Sequence, residues 1–272
     1  MHVRNSLFFT AVSASLIVAG PAGAQMVDQK FTIRTAAFFA KTDTQVSLQG
    51  NGNLGDLIDL EADLGLDERS ALPDLDFYWR INDDWVLNGQ FYALSRKGSA
   101  TLDREITIDD ITYPVNASVD ARLTTRIYEA SIGLLLYQRP KFEFGPTLGL
   151  HLTSFTFQAE GEGVVGGVSG TYSTQRRQIW APLPTVGGFI LWRPIERLQL
   201  EARVDWLSLG IGDYRGAILN TGVGASYRVL PHINLGMLYR YVDYDLQVRR
   251  THWTGEANYQ FSGPAVFIDI GF

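Results

Sequence analysis

Apolar and polar residues alternate along most of this chain with a period of two. In LPDLDFYWRI, Leu75, Phe77, Trp79 and Ile81 fall on one side, and Asp74, Asp76, Tyr78 and Arg80 on the other. Successive side chains of a β-strand point to opposite faces, so the stretch predicts a strand with one apolar and one polar face. The tight turn NDD follows. WVLNGQFYALSR then sets Trp85, Leu87, Phe91 and Ala93 against Asn88, Gln90, Tyr92 and Arg96. Leu198, Leu200, Ala202, Val204 and Trp206 alternate with Gln199, Glu201, Arg203 and Asp205 in the same way. So do Ile233, Leu235, Met237, Tyr239 and Tyr241 with Asn234, Gly236 and Arg240.

Ten strands are expected, over 30–48, 69–81, 85–108, 111–138, 142–158, 171–193, 198–211, 216–229, 233–249 and 255–272. Pro182 and Pro184 blur the alternation of the sixth. The connections alternate in length. NDD, QRPK, RPIER and LPH are short, whereas GNGNLGDLIDLEADLGLDE and the Gly-rich AEGEGVVGGVSG are long. Short turns on one side and long loops on the other predict a closed, antiparallel, all-β transmembrane barrel. The even strand count puts both termini on the short-turn, periplasmic side. A soluble β-sandwich also alternates, but it turns its apolar face inward. It gives no reason for aromatic rings to gather at strand ends. Here Trp79, Trp85, Phe142, Trp192, Tyr227 and Phe272 adjoin the short turns, and Phe39, Phe91, Trp206 and Tyr241 lie further up, as two interfacial girdles would.

The N-terminus adds the compartment. Arg4, the apolar run SLFFTAVSASLIVAG and the small residues AGA before Gln25 read as a secretory signal peptide over 1–24, leaving a barrel of 25–272. Cysteine is absent, which excludes disulfides and thiolate metal sites. Loss of Arg4 with the leader leaves 22 basic against 29 acidic residues, a net charge of about −7 that argues against a nucleic-acid partner.

At the other end, Val266, Ile268, Ile270 and Phe272 form an alternating apolar set that finishes on an aromatic ring. In these features the chain resembles the small outer-membrane β-barrel proteins of Gram-negative bacteria, a family defined by architecture rather than activity. The resemblance implies that the terminal set is the signal read by the barrel-assembly machinery. It also implies an integral outer-membrane location, with lipid and lipopolysaccharide as surroundings.

Candidate chemistry lies on the inward face. Arg34, Arg80, Arg96, Arg203, Arg228 and Arg240 are expected to meet Asp74, Asp76, Glu129, Glu143, Glu201, Asp205 and Asp269 there. The planar fork of Arg suits cross-barrel pairing with carboxylates. Eight-stranded barrels are just filled by side chains, so ten strands lined this way should be nearly plugged. His151 is expected to face the lumen, with Ser154 on the opposite face of the same strand. The pair Asp74-x-Asp76 is similar to the acid pair of the omptin proteases, but their accompanying Asp-x-His pair is missing here.

The acidic segment 54–68 lacks the spacing of a calcium loop and reads as solvated. GEGVVGGVSG reads as a flexible loop. The hairpin from 85 to 138 is expected to rise about 56 Å against an apolar band of about 25 Å. The resulting expectation is a structural or surface-binding barrel with a largely plugged lumen, no enzymatic role and no cofactor or metal. A narrow passive channel is the alternative, and an outer-membrane hydrolase a remote one.

Overall fold

A computed structural model describes residues 29–49, 57–108, 111–173, 177–211, 214–250 and 253–272. Residues 1–24, expected to be a signal peptide, and the hairpin tip at Asp109 and Asp110 lie outside these residues. Ten long strands form the wall: β1 (Phe31–Gln49), β2 (Arg69–Arg80), β3 (Trp85–Thr101), β4 (Ser118–Leu134), β5 (Phe142–Val165), β6 (Arg177–Ile195), β7 (Leu198–Ile211), β8 (Tyr214–Leu230), β9 (Ile233–Arg250) and β10 (Trp253–Gly271). Each pairs antiparallel with its neighbours in sequence, and β10 returns to β1 from Thr32↔Gly271 to Gln49↔Thr254. The sheet is therefore closed and has no free edge.

The turn after β2 shows how sequence fixes the short-turn rim. The Asn82 carboxamide oxygen accepts from the backbone N–H of Asp84 and Trp85, both at 2.9 Å, which closes an Asx turn without a longer loop. The chain end lies on this rim. Phe272 N–H donates to Phe31 C=O at 2.8 Å, and the two rings sit 6.5 Å apart.

The outside carries a belt of exposed apolar side chains, among them Trp79, Trp85, Phe91, Leu148, Trp192, Trp206, Met237, Ile268 and Phe272. On β1 the outward set runs from Phe31 to Phe39, on β7 from Leu198 to Trp206 and on β9 from Ile233 to Tyr241. Each is nine residues long, the length of tilted strand that crosses a hydrocarbon core. Above the belt the outward residues become Lys41, Asp43, Ser95, Lys97, Arg126 and Asp243.

Above that level the phase of the alternation inverts. In β4, Glu129 and Ser131 point inward low in the barrel while Tyr128 and Ile132 face outward. Higher up, Val119, Ala121 and Leu123 are buried and Asp120 and Arg122 face out. β10 does the same, with Tyr259 and Phe261 inward. The lower half is thus polar inside and apolar outside, and the upper half is built like a soluble barrel.

Several expected boundaries change for this reason. The ribbon of 85–138 is not two continuous strands. β3 ends at Thr101, and a small hairpin of Ile106–Ile108 and Ile111–Tyr113 folds back, touching β5 at Thr112↔Val164. The Gly-rich segment is not a flexible loop: β5 runs on to Val165 and pairs with Val168–Ser173. Gly166 and Gly167 make that turn with φ of 58° and 83°, a backbone region that favours glycine. Val168–Ser173 and β6 from Arg177 both pair with β5, on either side of residues 174–176, which lie outside the described residues.

The acidic segment is not a solvated loop either. Leu57–Asp59 pairs with β1, and Ile58, Leu60, Leu64 and Leu66 are buried against Leu102, Ile106, Ile108, Tyr113, Val119 and Leu123. Its acids serve the fold. Asp59 accepts from the N–H of Glu61 and Ala62, Asp63 pairs with Arg104 at 2.5 Å, and Glu61 reaches inward to Arg96. This apolar cluster forms a cap over the long-loop end on the side of β1 to β5.

Candidate functional site

The lumen has three levels. The lowest is a charge lattice held by the polar inward faces of β1, β2, β4, β5, β6, β7, β9 and β10. Arg34 forks onto Glu201 at 2.5 and 2.9 Å and onto Asp269 at 2.7 and 3.2 Å, with its guanidinium 3.7 Å from the centroid of the Phe267 ring. Arg240 bonds Asp74 at 2.6 Å, and Gln90 donates to both oxygens of the same carboxylate. Arg80 bonds Glu143 at 2.9 Å, and Arg193 approaches its other oxygen at 3.4 Å. Arg203 bridges Glu129 and Asp205.

Placement of the expected lumen residues is uneven. Arg34, Arg80, Arg203, Arg240, Asp74, Glu129, Glu143, Glu201, Asp205 and Asp269 meet in this lattice. Asp76 faces it with Oδ1 unpartnered. Arg96 stands apart in the upper half, where it binds Thr42, Thr44 and Glu61. Arg228 lies at the short-turn rim, where it donates to the Glu196 carbonyl at 2.8 Å. Arg193 belongs to the lattice and escaped the sequence reading, because the apolar run FILW before it and Pro194 after it hide the alternation.

A cavity of about 210 Å³ lies within the lattice, lined by Arg34, Asp76, Tyr78, Glu129, Arg203 and Arg240 among others. Above it the lumen is closed by an aromatic plug. Phe38, Tyr92, Tyr244, Tyr259 and Phe261 are fully buried, with ring centroids 5.3 to 6.5 Å apart. Arg240 marks the junction, 5.5 Å from the centroids of both Phe38 and Tyr92. The aliphatic cap forms the third level. The charge lattice therefore accounts for only the lowest part of the filling, and the buried Arg96–Glu61 pair stands apart from it higher up.

No protein-family model and no curated protein matches the sequence. Among solved structures, the chain is similar to the outer-membrane protease OmpT from Escherichia coli, at 12% identity and a TM-score of 0.55 over 92% of this chain and 99% of that one. The fold is that of the outer-membrane β-barrels. Looser likenesses are the translocator domain of the autotransporter NalP from Neisseria meningitidis (14% identity, 88% of each chain, TM-score 0.46) and the toluene transporter TodX of Pseudomonas putida (11% identity, 90% of each chain, TM-score 0.35). At such identities an outer-membrane barrel fold conveys no activity.

Within this barrel, Asp74 is occupied by Arg240 and Gln90, and Ser154 points away from His151. The alternating set Val266, Ile268, Ile270 and Phe272 faces outward on β10, with Phe272 66% exposed.

Proposed function

We propose that this protein is an integral barrel of the bacterial outer membrane that passes no bulk solute and works as a structural or surface-binding component through its capped, long-loop end. The observation that carries this reading is the lumen itself. A buried aromatic plug drawn from β1, β3, β9 and β10 stands above the charge lattice, and the buried aliphatic cap adds to it on the side of β1 to β5. The cap is also the most elaborated part of the molecule, combining the acidic segment, the small hairpin and the extension of β5. On this reading lipid and lipopolysaccharide surround the belt, both termini face the periplasm and the assembly machinery reads β10.

Single-channel recording of the purified barrel in planar bilayers tests the proposal. The expected result is no stable opening. Large, steady, porin-like steps would refute it and favour the narrow-channel reading.

A further inference from the structure

At one point in the lumen three strands bring together Glu129 of β4, His151 of β5 and Asp205 of β7, with a donor atom of each within 4.8 Å of the others. Glu129 and His151 are direct cross-strand partners. Their facing atoms, Oε2 and Nε2, are 3.5 Å apart. His151 is 1% exposed, yet neither of its ring nitrogens has a hydrogen-bond partner. Leaving such a group unpaired in a dry interior is costly, and here it is turned toward two carboxylates.

The surroundings fit a bound cation. Arg203 holds Oε1 of Glu129 and Oδ2 of Asp205. The second oxygen of each carboxylate accepts a hydrogen bond from a neutral donor, Asn220 at 3.3 Å and Thr147 at 3.1 Å. Arg203 thus orients both acids as an outer partner does around a metal, leaving one oxygen of each to coordinate. Space has been cleared for Asp205 to reach across β6. A Cβ on Gly187 would lie 2.1 Å from the Val204 carbonyl oxygen, 2.6 Å from Asp205 Oδ1 and 2.8 Å from Thr147 Oγ1, so the glycine serves the strand contact and the carboxylate together. Glu129 lines the cavity together with Thr147, Arg203 and Asn220, so the site borders it through one of its three ligands.

We propose that Glu129, His151 and Asp205 form a binding site for one first-row divalent cation of the zinc class. One imidazole and two carboxylates are a mixed nitrogen and oxygen set, which suits such ions better than magnesium or calcium. Bonds of about 2.1 Å in a tetrahedral site put donors about 3.4 Å apart. Glu129 and His151, at 3.5 Å, already stand close to that spacing, and Asp205 has a donor atom within 4.8 Å of both. The ion would tie β4, β5 and β7 together beneath the aromatic plug.

The test uses the full barrel, refolded in detergent and stripped with a chelator, then titrated calorimetrically with zinc and with magnesium. One zinc per barrel is expected, with no competition from magnesium and with a tetrahedral visible spectrum when cobalt is substituted. His151→Ala and Asp205→Asn should each weaken binding at least tenfold. His232→Ala, in a short turn, should change it less than twofold. Absence of saturable binding, whether zinc is added after or during refolding, overturns the site. So does unchanged affinity in His151→Ala. Should that variant fail to show heat-modifiable migration, Asp205→Asn decides, and unchanged binding there overturns the proposal equally.

Discussion

Replacing Arg203 by alanine separates the roles of the charge lattice and the plug. Glu129 and Asp205 are 3% and 1% exposed at their side chains, and Arg203 is their common cationic partner. Removing one member of a buried pair typically costs about 3–5 kcal/mol, because the partner's charge stays desolvated. Relief is at hand. Arg203 itself is 29% exposed and lines the cavity, so water can enter the vacated position. Asn220 and Thr147 also keep their bonds to the two acids. The cost should therefore fall near the lower end, about 3 kcal/mol. The double variant Arg203→Met, Glu129→Gln removes charge from both sides and should recover part of that loss. The assay is urea unfolding of barrels in lipid vesicles, followed by heat-modifiable migration, alongside conductance. Conductance should stay closed in both variants, since the aromatic plug above is untouched. An Arg203→Ala barrel as stable as wild type, or one with steady openings, would refute the reasoning.

Two other perturbations probe the ends of the barrel. Gly98→Ala places a Cβ 2.4 Å from backbone atoms of Gly65 and 2.5 Å from the Leu64 carbonyl, so segment 64–66 must move. The expected cost is about 1–3 kcal/mol, read as faster limited proteolysis within the cap while the wall stays heat-modifiable; unchanged proteolysis would show that the cap does not depend on this contact. Phe272→Lys adds only about 0–1 kcal/mol at an interface, so a severe loss of inserted barrel in a Gram-negative host would mark a lost recognition signal, and normal insertion would remove that role.

The period-two alternation revealed all ten wall strands, because lipid outside and charge inside give the two faces opposite chemistry at belt height. The same rule hid the plug. Period two sets Tyr92 on the polar face beside Asn88 and Gln90, and it does point inward, but there it joins Phe38 and Phe261 instead of the charges. Once a strand leaves the hydrocarbon, water lies outside and the apolar side chains turn in. A reading that holds one phase along the whole strand then misassigns the upper half. The cap was hidden for a different reason. Leu60, Leu64 and Leu66 are interleaved with Asp59, Glu61, Asp63 and Asp67, so local composition reads as solvated. Their burial depends on contacts with residues 102–123, distant in sequence. Parity sets His151 on the inward face, where it is buried, but its approach to Asp205 crosses two intervening strand gaps that no local pattern encodes.

The connectivity of the wall sets the order in which it can be assembled. Every neighbouring pair but one joins consecutive strands, which can form as local hairpins as the chain advances. The exception joins β1 to β10, bringing Thr32 beside Gly271. Compared with closing a hairpin of about 30 residues, closing one eight times longer costs about 2 kcal/mol more in chain entropy. That seam is therefore the last to close, and until then both edges present unpaired peptide groups that lipid cannot satisfy. Arg34 and Asp269 face each other directly across it and latch it from inside, with Glu201 reaching in from β7. A nascent chain that has not yet made β10 lacks the strand that pairs with β1 here, so completion of this one seam separates the closed wall from an open sheet.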